Sequence, residues 1–156
     1  MDAVQLMRLA IDKAYAGVAA GQSPFGCAIA RGDTLLAVAH NTVLQSVDIT
    51  AHAEINALRQ ACAASGEILL EGVVVATTCE PCPMCMAALH WARVEAVCFG
   101  ASIADAADAG FNELQLPAES VVRLGGSRVQ LVAGVLQEDC VELFRAWRAQ
   151  PNRRAY

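Results

Sequence analysis

The sequence has little charge, and no excess of positive charge. Charged residues make up 17% of the 156 residues and hydrophobic residues 56%, a composition typical of a globular protein rather than a disordered one. The net charge of −5 argues against binding to a nucleic-acid backbone, because such proteins usually present a basic surface. The only basic cluster, which we interpret as a solvated helix end and tail, comprises Arg145, Arg148, Arg153 and Arg154. We therefore expect no nucleic-acid partner.

A long hydrophobic run is also missing. No apolar stretch reaches the roughly 18 residues that a membrane span needs, and no signal peptide precedes the first predicted helix. We therefore expect a cytoplasmic protein with no membrane partner. The high apolar fraction, combined with modest charge, also favours an oligomer that hides part of its surface between subunits.

The cysteines do not form the even set that is usual for a disulfide framework. There are seven, and in a reducing compartment this favours metal ligands or small core residues. Four lie in apolar contexts and are interpreted as buried core residues: Cys27, Cys62, Cys98 and Cys140. The other three fall within eight residues, 78–85, which read TCEPCPMC. This stretch needs an explanation of its own.

Hydrophobic periodicity predicts an alternation of helices and strands. We expect helices near 2–20, 51–66, 83–90, 102–109 and 135–149, and strands near 25–31, 34–40, 72–78, 94–100 and 128–134. This order predicts an α/β fold, a three-layer α/β/α sandwich in which helices flank a mixed five-stranded sheet. Residues 1–156 are expected to form one domain, with 150–156 as a C-terminal tail. In such folds a ligand site lies where strands lead into helices, and the cysteine-rich stretch falls there.

The cysteine-rich stretch is explained best as part of a zinc site. Cys82 and Cys85 are three residues apart at the predicted start of a helix, so their sulfur atoms can converge on one face. The N-terminus of a helix lowers the pKa of a thiol, which favours thiolate ligands. His52, at the start of another predicted helix, would supply a third ligand and leave the fourth position to water. Glu54 could then accept the proton of that water and return it to a substrate nitrogen.

The combination of His-x-Glu with Pro-Cys-x-x-Cys is the signature of zinc deaminases. On these motifs the chain resembles the cytidine-deaminase-like superfamily, whose members hydrolyse an exocyclic amine from a nucleobase. The resemblance implies that His52, Cys82 and Cys85 bind one Zn²⁺ per subunit and that Glu54 is the proton shuttle. The motifs are shared by all branches of the superfamily, so they do not identify the base.

Segments that include or extend beyond the zinc motifs resemble the bacterial guanine deaminases of this superfamily. They are PFGCAIA, TAHAEINALRQAC, HWARVEAVCFGA, DAADAGFNE and FRAWRAQPNRRAY, and the similarity extends over residues 5–156. It implies a hydrolase that acts on a cyclic amidine C–N bond and converts guanine, a small-molecule purine, to xanthine and ammonia. It further implies a homodimer in which 150–156 act as a lid, exchanged between subunits so that Tyr156 covers the pocket of the partner.

The resemblance also assigns residues to the base. Guanine offers N1–H and its 2-amino group as donors beside O6 and N7 as acceptors, so its pocket needs a carboxylate and an amide. Glu113 matches the acidic position that the family uses on the base, and we expect it to help pass a proton as well. Asn41 matches the asparagine that contacts the base. Phe25 and Trp91 are candidates to sandwich the planar purine.

Three alternatives stay open at this point. A deaminase for another base or nucleoside, such as guanosine, cytosine, cytidine or a triazine, would keep the same zinc chemistry, because pocket width cannot be read from sequence. A tRNA adenosine deaminase would keep it too, but would need a basic surface for the phosphates of its substrate. A non-enzymatic zinc module would need a fourth ligand, for which Cys79 is the only nearby candidate, and would leave Glu54 without a role.

Overall fold

The computed structural model describes all 156 residues and contains one five-stranded mixed sheet between two helical layers, as the sequence predicts. In chain order the elements are α1 Ala3–Ala19, β1 Gly26–Arg31, β2 Thr34–His40, α2 Val43–Ser46, α3 Ala53–Ser65, β3 Val73–Cys79, α4 Pro83–Trp91, β4 Ala96–Ala101, α5 Ile103–Ala109, α6 Ala118–Gly125, β5 Gln130–Ala133 and α7 Gln137–Arg148.

The strands lie in the order β2-β1-β3-β4-β5. β1 and β2 form an antiparallel hairpin, and β1 also pairs antiparallel with β3. β3, β4 and β5 are parallel, so the carboxyl ends of β3 and β4 open at the same edge of the sheet. There the chain enters α4 and α5, which makes this edge the place where side chains from several elements can meet.

Residues of the central strands alternate between the two layers because successive strand side chains point to opposite faces. Ala28 and Ala76 pack with the core under α1 and α7, whereas Ile29 and Val75 pack with the core under α3 and α4. All four side chains are buried. The sheet is thus covered on both faces, and its small alanines let α1 approach closely.

Local chemistry fixes where the helices that frame the site begin. His52 and Cys82 have extended backbone angles and are the N-cap residues of α3 and α4. Pro83 occupies the first helical position of α4, where its missing N–H would have had no partner and its fixed φ suits the helix. Gly66, with φ 72°, ends α3 in the left-handed conformation that glycine adopts at little cost.

Two helices, α2 and α6, are not predicted from the sequence. α2 is a single turn, too short to produce a period. α6 lies in what the sequence presents as a loose stretch, because it is bounded by Pro117 and Gly126 and buries only Ala118 fully.

Other expectations from composition can be placed on the fold. Of the four cysteines expected in the core, Cys27, Cys98 and Cys140 are buried, whereas Cys62 on α3 is partly exposed. None of the helices has the length and hydrophobicity that crossing a membrane requires.

Candidate active site

Three side chains converge where α3 and α4 begin. The ligand atoms of His52, Cys82 and Cys85 all lie within 4.8 Å of one another. His52 Nδ1 is 3.7 Å from Cys82 Sγ and 3.5 Å from Cys85 Sγ. Tetrahedral zinc with ordinary Zn–S and Zn–N bonds would separate a sulfur and a nitrogen ligand by about 3.6 Å. The donor set and its spacing therefore fit zinc with one coordination position left over.

The pKa values of the two thiols are shifted in opposite directions. Hydrogen bonds with Cys85 and with His52 together lower the pKa of Cys82 to about 4, against the effect of burial. The hydrogen bond between the two thiols, together with burial, raises the pKa of Cys85 well above its ordinary value. Burial lowers the pKa of His52, but its hydrogen bond with Cys82 and the charge of Glu54 outweigh this and leave it raised. The cluster thus favours the thiolate form of Cys82, and a bound cation would favour loss of the Cys85 proton as well.

Glu54 lies beside this cluster without belonging to it. Its carboxylate is buried, accepting from Thr77 Oγ1 at 3.1 Å and facing Cys85 Sγ at 3.5 Å. Burial raises the pKa of Glu54, with the nearby Cys82 thiolate acting in the same direction. A carboxylate in this setting holds its proton to higher pH than an exposed one, as a general acid and base requires.

Phe25, Asn41, Glu113 and Tyr156 line the same small cavity as His52 and Glu54. Asn41 is buried, and its Oδ1 accepts from Val43 N at 3.0 Å. Its Nδ2 is therefore the atom left to face the cavity, where it donates to the Tyr156 hydroxyl. Burial raises the pKa of Glu113, and the Cys82 thiolate raises it further.

Tyr156 reaches into the cavity of its own chain. Its ring centroid is 5.9 Å from that of His52 and 5.7 Å from that of Phe111, and its carbonyl accepts from Asn112 N at 3.1 Å. The cavity retains a free volume of about 20 Å³, which is the size of a water molecule and too small for a purine. The tyrosine ring thus occupies space that a base would need.

Of the two aromatic residues expected to sandwich the base, Phe25 lines this cavity, whereas Trp91 does not reach the cavity of its own chain. It is the last residue of α4, roughly 13 Å along the helix from Cys82. Its side chain is 73% exposed, in a surface groove beside His90 and Arg93. Phe25 instead packs edge-on against Phe111, with ring centroids 4.9 Å apart.

Two residues near the site went unassigned in the sequence analysis. Thr77, inside a β-branched strand run, holds Glu54 and gives no signal of its own in sequence. Glu80, inside TCEPCPMC, lines the cavity. Its position between two cysteines is the feature of the sequence that could have marked it as a residue of the site. Cys79 donates to Ser102 O at 3.5 Å and lies outside the group that could bind a metal, so it is not a fourth ligand.

Several known deaminases resemble this chain in sequence or in structure. Residues 1–101 match the cytidine and deoxycytidylate deaminase zinc-binding region. The guanine deaminase of Bacillus subtilis is 38% identical over 96% of this chain and 96% of its own length. The tRNA-specific adenosine deaminase of the same species is 33% identical over 90% of this chain and 85% of its own. The structure of guanine deaminase from Nitrosomonas europaea superposes with a TM-score of 0.87 at 27% identity, covering 96% of this chain and 86% of that one.

Proposed function

The chain belongs to the cytidine and deoxycytidylate deaminase zinc-binding family, and we propose that within it this protein hydrolyses guanine to xanthine and ammonia. The observation that carries the proposal is that Glu113 and Asn41 line the same cavity as His52 and Cys82, two of the three residues of the metal cluster. A carboxylate and an amide donor complement the donor and acceptor groups of guanine. The similarity to two guanine deaminases over nearly the whole chain supports the same substrate.

One zinc ion per subunit fits the cluster of His52, Cys82 and Cys85. When bound, zinc lowers the pKa of a water molecule towards neutrality and so makes it a nucleophile at ordinary pH. The chain must then supply proton transfer, orientation of the base and exclusion of bulk water.

Glu54 performs the proton transfer in this proposal. It accepts a proton from the attacking water as the new C2–O bond forms, and donates it to the amino nitrogen as the C2–N bond breaks and ammonia leaves. Its burial and its raised pKa suit both roles, and the Thr77 hydroxyl keeps one of its oxygens oriented.

Glu113 and Asn41 orient the base. Glu113 accepts from the N1–H and 2-amino edge of guanine, and its raised pKa allows it to relay a proton at that edge. Asn41 presents Nδ2 as a donor to an acceptor atom of the ring, since its Oδ1 is already paired with the backbone of Val43. Phe25 offers an aromatic surface against which the ring can pack.

We propose that residues 150–156 form a lid on a domain that comprises the whole chain. Because the Tyr156 ring fills the cavity, it must withdraw for a purine to bind and can then close over it. Residues 151–155 are exposed, so little packing opposes this movement.

A homodimer that exchanges this lid is the assembly we propose. Its support is the unusual exposure of apolar side chains on α4 and α6: Met84, Trp91 and Leu124 are 36%, 73% and 73% exposed. A second copy would cover them, and the short tail could then reach the cavity of either subunit.

A tRNA adenosine deaminase is the competing function, favoured by the 33% identity to the Bacillus subtilis enzyme of that name. The net charge of −5 opposes it, since an RNA substrate needs cationic side chains along its backbone. The closing of the cavity by Tyr156 opposes it too, because a base that stays attached to a polymer needs an open path.

Ammonia release from a panel of bases tests the proposal. The zinc-loaded protein would be assayed with guanine, guanosine, cytosine, cytidine, adenine, a triazine and an anticodon stem-loop RNA. We expect guanine to have the highest kcat/KM by far. Deamination of the stem-loop RNA with no activity on guanine would replace the proposed function with its competitor.

A further inference from the structure

Glu80 joins two helix ends that no other side chain connects. Its Oε1 accepts from Ala118 N at 2.8 Å, and its Oε2 accepts from Ile103 N at 3.1 Å. These are the first residues of α6 and α5. The backbone N–H of Glu80 donates to Ala101 O at 2.8 Å, which fixes the residue at the end of β4.

The two helix ends depend on Glu80 to different degrees. α5 has its own capping box, in which Ser102 and Asp105 exchange hydrogen bonds. α6 has none, because its N-cap position is Pro117, which cannot cap a helix with its side chain. Ala118 is fully buried, so without Glu80 its N–H would lose its partner in a place where water cannot replace it.

The chain between these two helix ends carries Glu113. In the loop 110–117 only Phe111 is buried, and Glu113 is half-buried at the cavity. The loop is also held through Asn112, but that bond is made to the carbonyl of Tyr156, in the lid. When the lid opens, this bond is lost and the connections through Glu80 and Phe111 remain.

We propose that Glu80 is a positioning residue that holds Glu113 at a fixed distance from the metal ligands. Glu80 lies two residues before Cys82, so the segment that supplies a metal ligand also ties down both ends of the segment that supplies the base-binding carboxylate. The inference rests on the proposed function in taking Glu113 as the residue that holds the base.

The test compares Glu80→Gln with a matched capping variant, Ser102→Ala. Glutamine keeps the shape of the side chain but replaces one acceptor oxygen with an NH₂ group that opposes a backbone N–H. Ser102→Ala removes a cap of α5 and leaves the hydrogen bond between Ala118 N and Glu80 Oε1 intact. For each variant, kcat, KM, zinc content and melting temperature would be measured on the best substrate of the base panel.

We expect Glu80→Gln to keep its zinc and to lose about 10-fold to 100-fold in kcat/KM, because displacing a binding group by about 1 Å has effects of this size. Ser102→Ala should change kcat/KM by less than about 3-fold at a similar loss of melting temperature, since only an ordinary cap is removed. Unchanged kcat/KM in Glu80→Gln, or equal losses in the two variants, would overturn the positioning role.

Hydrogen exchange separates failure of this inference from failure of the proposed function. In the wild-type protein the amides of Ile103 and Ala118 should be protected, although first-turn amides of helices have no partner within the helix. Free exchange at Ala118 would overturn the inference whatever base is deaminated. If Glu80→Gln does not fold, Glu80→Asp gives the same comparison, because the shorter side chain keeps its charge but cannot reach both amides.

Discussion

The two walls of the cavity are built in different ways. The metal wall, which consists of His52, Glu54, Cys82 and Cys85, stands on the first turns of two helices that pack against the sheet. The base wall consists of the loop 110–117 and the tail 150–156, most of which is exposed, together with the buried Asn41. The metal wall is held by regular structure, whereas the base wall is held by a few contacts with side chains distant in sequence.

This difference suggests a division of labour. The metal wall carries the groups that any deamination needs, and it tolerates little movement because its ligand atoms must stay within a few ångströms of one another. The base wall carries the groups that distinguish one base from another and must open to admit it. Changes to the metal wall should therefore affect every substrate equally, and changes to the base wall should alter selectivity and KM.

The largest effect should come from breaking the metal wall. We expect Cys82→Ala to lose zinc and to lose turnover of every base to background, because it removes one of the three residues that form the ligand group. Zinc content by mass spectrometry and ammonia release measure the two losses. The control is Cys79→Ala, which should keep its zinc since Cys79 lies outside the cluster. Zinc loss in that control would favour a closed structural site.

Glu54→Gln should separate metal binding from chemistry within the same wall. Zinc content should stay at the wild-type level, because Glu54 is not part of the ligand group. Turnover should fall by about 100-fold to 10,000-fold, the usual effect of losing a general acid and base. If turnover survives, the proton must be carried by another group, and Glu113 would be the next candidate.

How much could be predicted from sequence follows the same division. Cys82 and Cys85 are predictable because helix geometry places a local spacing on one face, and His52 is predictable because it belongs to a motif that accompanies this pair. The base wall depends on long-range contacts, such as that between Asn41 and Tyr156, which no local spacing encodes. Asn41 and Glu113 were therefore assigned by family resemblance alone.

The position of Trp91 illustrates the same limit. It adjoins the metal motif in sequence, but a helix of nine residues carries it away from the cavity to the far end of α4. Phe111 shows the reverse case, because it reaches the cavity region by packing against Phe25 and Tyr156 from a loop without periodicity.

Among changes to the base wall, Glu113→Gln should cause the largest loss of kcat/KM for guanine. Replacing the acceptor with an amide removes one partner of the guanine donor edge, so kcat/KM for guanine should fall by about 10-fold to 100-fold. The loss of kcat/KM should be smaller for bases that lack these two donors. The preference for guanine over the other bases should therefore decrease. Glu113→Asp is the matched control, since it keeps the charge and should retain more activity. An equal loss for all bases would mean that Glu113 acts in the chemistry and not in selection.

Removal of residues 152–156 should have a smaller effect, of about 10-fold on kcat/KM, because the cavity loses its cover but keeps its chemistry. A mixed dimer then decides which subunit supplies the lid. One chain would carry Glu54→Gln with its tail, and the other would lack the tail and keep Glu54. Only the chain without a tail can then turn over substrate. If it has full activity per active centre, the tail that covers its cavity comes from the partner. If it is only as active as the truncated protein, each chain covers its own cavity.

The smallest effect should come from Trp91→Ala. Trp91 lies outside the cavity of its own chain, so at a protein concentration that keeps the proposed dimer assembled kcat/KM should change by no more than about 2-fold. Phe25→Ala is the control, because it removes an aromatic ring that does line the cavity and should raise KM. If Trp91→Ala raises KM as much as the control does, the indole must reach the base, and since α4 holds it outside the cavity of its own chain, it would have to come from a second copy.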